Sequence, residues 1–321
     1  MNRREFIASS ALLFADGSAN IANAQSGPIR FIYPYAPGSG GDSIMRFLAN
    51  RIGLALNENV IAENHTGADG RIGVRDVKAA APNGRTLLFT PFGTMVLFPS
   101  VYADLPYDPF KDFTPVSQVV TYDFGLAAGP AFPGKSLADL EKWLKANPKL
   151  ANFGMPGSGA LPHLLPLKFA ALIGVEIKAI AYKGAVPAVT EAIAGQIPLV
   201  CAPLSDLAAQ HQAGRVRLLA TSGAQRSPFT PDVPTFREQG YDVVGAGWYG
   251  IFAPSGSPPE MLAKITPVIR AAMLSAEGKS LSANLGLTPT ATSPEELGAI
   301  QRADFERWAP VVKASGFTGN G

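Results

Sequence analysis

Residues 29–42 read IRFIYPYAPGSGGD. The apolar run Ile29 to Tyr33 has the length and composition of a strand, and Pro37-Gly38-Ser39-Gly40-Gly41 then breaks it as a turn. From Ser43 to Leu56, Ile44, Phe47, Leu48, Ile52 and Ala55 recur near a 3.6-residue period, which predicts a helix. The same unit repeats at once. Asn59 to Ala62 reads as a strand, and Gly73 to Ala81 as a helix stopped by Pro82 and the Asn83-Gly84 turn. Thr86 to Thr90 is the next strand. Such alternation argues an α/β fold with a parallel-type sheet and helices on both faces.

A second series follows. Helices are expected at 137–146, 161–173, 188–194 and 205–212. Strands are expected at 151–153, 176–181, 197–201 and 216–221. The tail changes character, with a strand at 248–253 and long helices at 258–275 and 294–314. Each of those helices opens on Ser-Pro, an N-cap followed by proline at the first helical position. Two α/β series with a late helical return suggest two lobes crossed more than once. The crossings are expected near Ala127 to Gly129 and near Ser227 to Val233.

Composition narrows the function. Charged residues make up 16% of the 321 residues and hydrophobic ones 47%, against about 25% charged in typical domains, so disorder is excluded. A net charge of +2 gives no electrostatic footprint for nucleic acid. Cys201 is the single cysteine, and His65, His163 and His211 lie far apart, so neither an internal disulfide nor a metal framework is expected. Near the start, Arg3 and Arg4 precede the apolar run FIASSALLFA at 6–15, and Ala22-Asn23-Ala24 supplies an A-x-A cleavage site. The run is too short to span a bilayer. Residues 1–24 therefore read as a signal peptide, by the general or the twin-arginine route, with a soluble periplasmic product.

Four places could hold a ligand. The turn at Pro37 to Asp42 precedes a helix, where free N–H groups and the helix dipole attract anions. It is neither a P-loop nor a G-x-G-x-x-G fingerprint. Asp42 has two readings, a cap on the helix start or an acceptor for a ligand. A second glycine turn, Gly154 to Gly159, also precedes a helix and is followed by His163. Ser158 and His163 invite a hydrolase reading, but the surrounding residues do not form a nucleophile elbow. Tyr182-Lys183-Gly184 and Thr90 to Thr94 lie at the carboxyl ends of strands, where open α/β sheets bind ligands. Trp248-Tyr249 is either packing or a pocket wall.

These pieces, taken in order, resemble the extracytoplasmic solute receptors of tripartite tricarboxylate transporters, the TctC-like or Bug family. The resemblance rests on Tyr35-Ala36-Pro37-Gly38-Ser39-Gly40-Gly41-Asp42 and on the stretch Glu63 to Gly73. It continues through Pro82-Asn83-Gly84-Arg85-Thr86-Leu87-Leu88, Gly157-Ser158-Gly159 with His163, Tyr182-Lys183-Gly184, Asp232 to Phe236 and Trp248 to Pro254. It implies a two-lobed periplasmic binding protein of the Venus-flytrap, type II-like kind, each lobe a mixed sheet flanked by helices. Residues 28–127 with 228–321 would form one lobe and 128–227 the other. It implies a non-enzymatic, monomeric receptor without cofactor or metal. Its ligand would be a small organic acid (a dicarboxylate, an acidic amino acid or an aromatic carboxylate), passed to a membrane permease or read by a sensor kinase. The implied contacts are Tyr35, Pro37, Gly38, Ser39, Gly40, Asp42, Thr90 and Thr94 from one lobe, and Ser158, Gly159, His163 and Tyr182 from the other. The sequence departs from the family at Ala160, where a second serine is usual, and at Pro198, where an aspartate is usual. Val200-Cys201-Ala202-Pro203 replaces an aromatic stretch, and Thr66 and Asp69 replace proline and glycine. The less polar wall at 202–203 would suit an aromatic or longer acid.

Overall fold

The structure, a computed structural model, describes residues 27–314 and 317–319. The leader expected at residues 1–24 lies outside the described residues. The first series folds as read, within a few residues. Strands β1 (Ile29–Tyr33), β2 (Val60–Asn64) and β3 (Thr86–Pro91) pair in parallel, with β1 in the middle. Between them run helices α1 (Gly40–Leu56) and α2 (Arg71–Lys78). Helix α1 buries Ile44, Met45, Leu48 and Ile52 on one stripe and ends at Asn57, whose φ of 51° closes the helix in the left-handed region. A short helix α3 (Phe98–Val101) follows a π-turn over Gly93–Leu97.

The element that organises the molecule is β4 (Phe113–Ala128), a strand of 16 residues not expected from the sequence. From Phe113 to Asp123 it pairs antiparallel with β9 (Ala246–Pro254), which in turn pairs antiparallel with β3. From Phe124 to Ala128 it pairs with β7 (Leu199–Pro203) on one side and β8 (Arg217–Thr221) on the other. Strands β5 (Asn152–Met155) and β6 (Lys178–Ala181) extend that second region in parallel beyond β7. The strand order is therefore β2-β1-β3-β9-β4-β7-β5-β6. The parallel sheet argued from alternation is corrected to a mixed sheet, parallel at both flanks and antiparallel along its β4–β9 spine.

Helices α4 (Leu137–Ala146), α5 (Leu161–Leu172), α6 (Ala185–Ile193) and α7 (Leu204–Gln212) cover the second lobe. The tail supplies α8 (Pro259–Leu274), α9 (Ala276–Asn284), the short strand β10 (Thr288–Pro289) against β4, and α10 (Pro294–Ala314). The sequence reading ended the first tail helix near Ser275 and missed α9. Ser275 is the hinge between the two, closing α8 and capping α9 by accepting from the Gly278 N–H. Among the described residues, no helix is long and apolar enough to cross a membrane.

The chain passes between the two sheet regions at Asp123–Phe124 and returns at Gly245–Ala246, and Ser222 stitches both passages together. Its Oγ accepts from the Phe124 N–H at 2.9 Å and donates to the Gly245 carbonyl at 2.5 Å. Its own N–H donates to Phe124 O, and the Gly245 N–H donates back to Ser222 O. Ser222 is fully buried, so Ser222→Ala strands the Phe124 N–H in the interior. The expected cost is about 1–3 kcal/mol in urea unfolding. A change under a few tenths of a kcal/mol would show that these bonds do not hold the crossing.

Candidate functional site

The two lobes meet along a cleft walled by both halves of the chain. From the first lobe come Tyr33, Tyr35, Ala36 and Ser39, then Pro91, Phe92 and Gly93, with Tyr122 of β4 and Tyr249 of β9. Across from them lie Phe124, Pro156, Ala160 and Pro162, then Gly184, Ala185, Val186, Pro203 and Asp206. The space between these walls is about 570 Å³, mouth included. The lining is mostly apolar, as small-molecule sites are. Among the described residues, the lining includes no lysine, arginine or histidine, and Asp206 is its only carboxylate.

Three helices of the second lobe begin at this cleft without a side-chain cap. Helix α5 starts after Ala160, α6 after Gly184 and α7 after Pro203. First-turn N–H groups have no partner inside their own helix, and the dipole makes them electropositive. At α6 these groups are the amides of Ala185 and Val186, since Pro187 has none. An anion can therefore be held here without a basic side chain.

Helix α1 is different, because its own residues close its start. Ser39, not Asp42, is the N-cap, and its Oγ accepts from the Asp42 N–H while sharing a hydrogen bond with the Tyr33 hydroxyl. Asp42 accepts from the Gly38 N–H and Arg46 Nε on Oδ2 and from Asn64 Nδ2 on Oδ1. Burial would raise its pKa, but those donors outweigh burial and hold it below the usual carboxylate range. Its oxygens are thus occupied within the first lobe. The Gly40 N–H crosses the cleft to Asp206 Oδ1 at 2.9 Å.

Of the residues expected at the site, Tyr35 and Ser39 line the cleft. Pro37, Gly38 and Gly40 are not among the lining residues: Pro37 and Gly38 are exposed, the position of a Gly38 side chain lies 4.0 Å from Val186, and Gly40 is set against Ser205. Thr90 and Thr94 are fully buried and bonded to one another at 2.6 Å, while the adjoining Pro91, Phe92 and Gly93 face the cleft. Tyr182 lies on a neighbouring crevice with Tyr35, Asp69 and Lys183. Ser158 and Gly159 sit where the second lobe touches the first. There the Tyr102 hydroxyl donates to Asp69 Oδ2 and, more weakly, to the Ser158 carbonyl. His163 is buried edge-on against Phe317, and its Nδ1 accepts from the Gly159 N–H. Burial lowers its pKa to about 4 against the opposing pull of Asp69, so the ring is neutral at pH 7. In a hydrolytic triad that nitrogen would instead donate to an acid.

The comparisons with known proteins bear on these features. The model of the tripartite tricarboxylate transporter family receptor matches residues 44–317. The chain belongs to this receptor family. Protein BugT of Bordetella pertussis is 31% identical over 294 residues, covering 90% of this chain and 89% of BugT. MatC from Rhodopseudomonas palustris, solved with bound malate, superposes with a TM-score of 0.84 at 27% identity, covering 89% of this chain and 98% of MatC. An R. palustris protein solved with adipate gives 0.87 at 27% identity, covering 91% and 98%. The fold is accordingly that of the two-lobed periplasmic binding proteins, in a family of solute-binding receptors.

Sequence reasoning did not assign Tyr33, Tyr122, Phe124, Pro162, the α6 start at Ala185 and Val186, or Asp206 to this receptor's cleft. It did single out the loop from Thr90 to Thr94, for its two hydroxyls, whereas Pro91, Phe92 and Gly93 are the residues that face the cleft. Tyr249 was flagged as a possible wall, and it lines the cleft, whereas Trp248 packs on Phe92 and donates to Asp304. Two of the departures from the family, Ala160 and Pro203, lie on the lining.

Proposed function

We propose that this receptor is exported to the periplasm, captures a small carboxylated metabolite by lobe closure and presents it to a membrane permease without altering it. We place the lobes at residues 28–123 with 246–314 and 317–319, and at 124–245, following the change of partner along β4. The observation that carries the reading is the convergence of three uncapped helix starts on a cleft with no basic side chain. That arrangement recognises a carboxylate through main-chain N–H groups. The apolar rings and prolines opposite suit the carbon skeleton of the acid. The relatives solved with malate and adipate support a ligand of this size and charge.

The test is a thermal-shift and calorimetry screen of mature protein against di- and tricarboxylates, amino acids and aromatic acids. A ligand at 100 times its Kd should stabilise the native state by about 2.7 kcal/mol. The absence of stabilisation by any acid would remove the reading. So would turnover of an ester that is lost in Ser158→Ala.

A further inference from the structure

Asp206 is out of place in a cleft built only to hold an anion. It sits in the first turn of α7, and one carboxylate oxygen, Oδ1, takes the Gly40 N–H. The other, Oδ2, is sealed from solvent and has no hydrogen-bond partner among the described residues. The hydroxyl of Ser205 beside it is in the same condition. Tyr33 from β1, Tyr122 from β4 and Tyr249 from β9 line the cleft with the carboxylate and feel its charge, and Tyr33 also feels that of Asp42. The Tyr122 and Tyr249 rings lie 4.8 Å apart and the Tyr33 and Tyr249 rings 6.2 Å apart. Burial pushes all three phenols above their usual pKa, so they stay neutral, and no cation answers Asp206 within the lining. An unpaired carboxylate in such a place is costly, and a simple diacid would add a second negative charge to it.

Resting on the acid-capture reading above, we infer that the ligand is an amino acid in the broad sense: a carboxylate for the helix starts and, at its other end, a protonated amine for Asp206. The ammonium supplies the positive charge and the N–H donor that Oδ2 lacks. Burial raises the Asp206 pKa to about 6, with the Gly40 N–H working against it. An ammonium ligand binds the ionised form. Its affinity therefore rises with pH through that value, by about tenfold between roughly pH 5 and pH 7.5. A diacid held by protonated Asp206 would show the opposite slope.

The experiment compares ω-amino acids with α,ω-diacids of three to six carbons by calorimetry on the mature chain, with the common α-amino acids alongside. At neutral pH the best amino acid is expected to bind at least about tenfold more tightly than the best diacid. In Asp206→Asn, which keeps an oxygen for Gly40, that preference should collapse and the pH slope vanish. The variant also separates Asp206 from Asp123, whose burial raises its pKa to about 6 as well. Wild-type pH dependence needs no variant and decides the sign independently. Diacids binding more tightly than any amino acid, or an unchanged preference in Asp206→Asn, would overturn this inference and leave acid capture standing. Binding by neither class would overturn both.

Discussion

Val186→Asp is expected to abolish capture of the carboxylate while leaving the fold intact. Val186 is the second residue of α6, lines the cleft and is 40% exposed. Aspartate is close to valine in size, and a negative charge in a first helical turn is favoured by the dipole. Unfolding should therefore be unchanged or slightly harder. The new carboxylate, however, competes for the Ala185 and Val186 amides that the ligand needs. Two like charges 4 Å apart repel by about 4 kcal/mol at an effective dielectric constant near 20, which corresponds to a loss of affinity of roughly 100-fold or more. Val186→Asn has nearly the same shape without the charge and should lose less than about tenfold. Calorimetry with whichever acid the screen identifies reads both. Equal losses in the two variants would mean that shape, not charge, matters at this helix start. Wild-type affinity in Val186→Asp would place the carboxylate elsewhere.

How far the sequence leads depends on whether the signal is local. The parallel units were legible because β1 and β3 are short, largely apolar runs, buried except at Arg30 and Pro91, and α1 repeats its buried residues at helical spacing. Strand β4 was not legible. Pro115, Gly125 and Asp123 interrupt it, and irregularities at Pro115/Ser117 and Gln118/Val120 break the two-residue alternation. It is a strand because β9, β7 and β8 pair with it from distant parts of the chain. The site divides in the same way. The glycine turns announced themselves as helix beginnings, and the aromatic pair at 248–249 drew notice as a wall. Asp206 did not stand out, because an acid in the first turn of a helix is an ordinary partner for the dipole. What sets it apart is company: a glycine 166 positions away and tyrosines from three separate strands. Asp42, prominent in sequence as the last residue of the turn, is consumed by its neighbours Gly38, Arg46 and Asn64.

Gly40→Ala should separate closure of the lobes from their folding, because the two respond in opposite directions. Gly40 opens α1, and alanine is a better helix former than glycine by up to about 1 kcal/mol. Its φ is not in the left-handed region, so the backbone accepts a side chain. On stability alone the ligand-free protein should be unharmed. Across the cleft, though, the added methyl would lie 2.7 Å from Ser205 Cβ and 2.8 Å from its Oγ. These are atoms at the start of α7, not the free end of a long side chain, so they cannot swing aside. Overpacking of this kind costs about 1–3 kcal/mol, and here it is borne only when the lobes meet. Affinity should fall by roughly 10- to 100-fold with the melting temperature of the free protein unchanged or raised. Scattering should find the free variant more extended than wild type. Ser205→Gly removes the opposing methylene, and in the double variant affinity should return, an interaction between sites that touch only across the cleft. A double variant as weak as Gly40→Ala would mean that the alanine disturbs α1 itself. In that case the contact between Gly40 and Ser205 is not what limits closure.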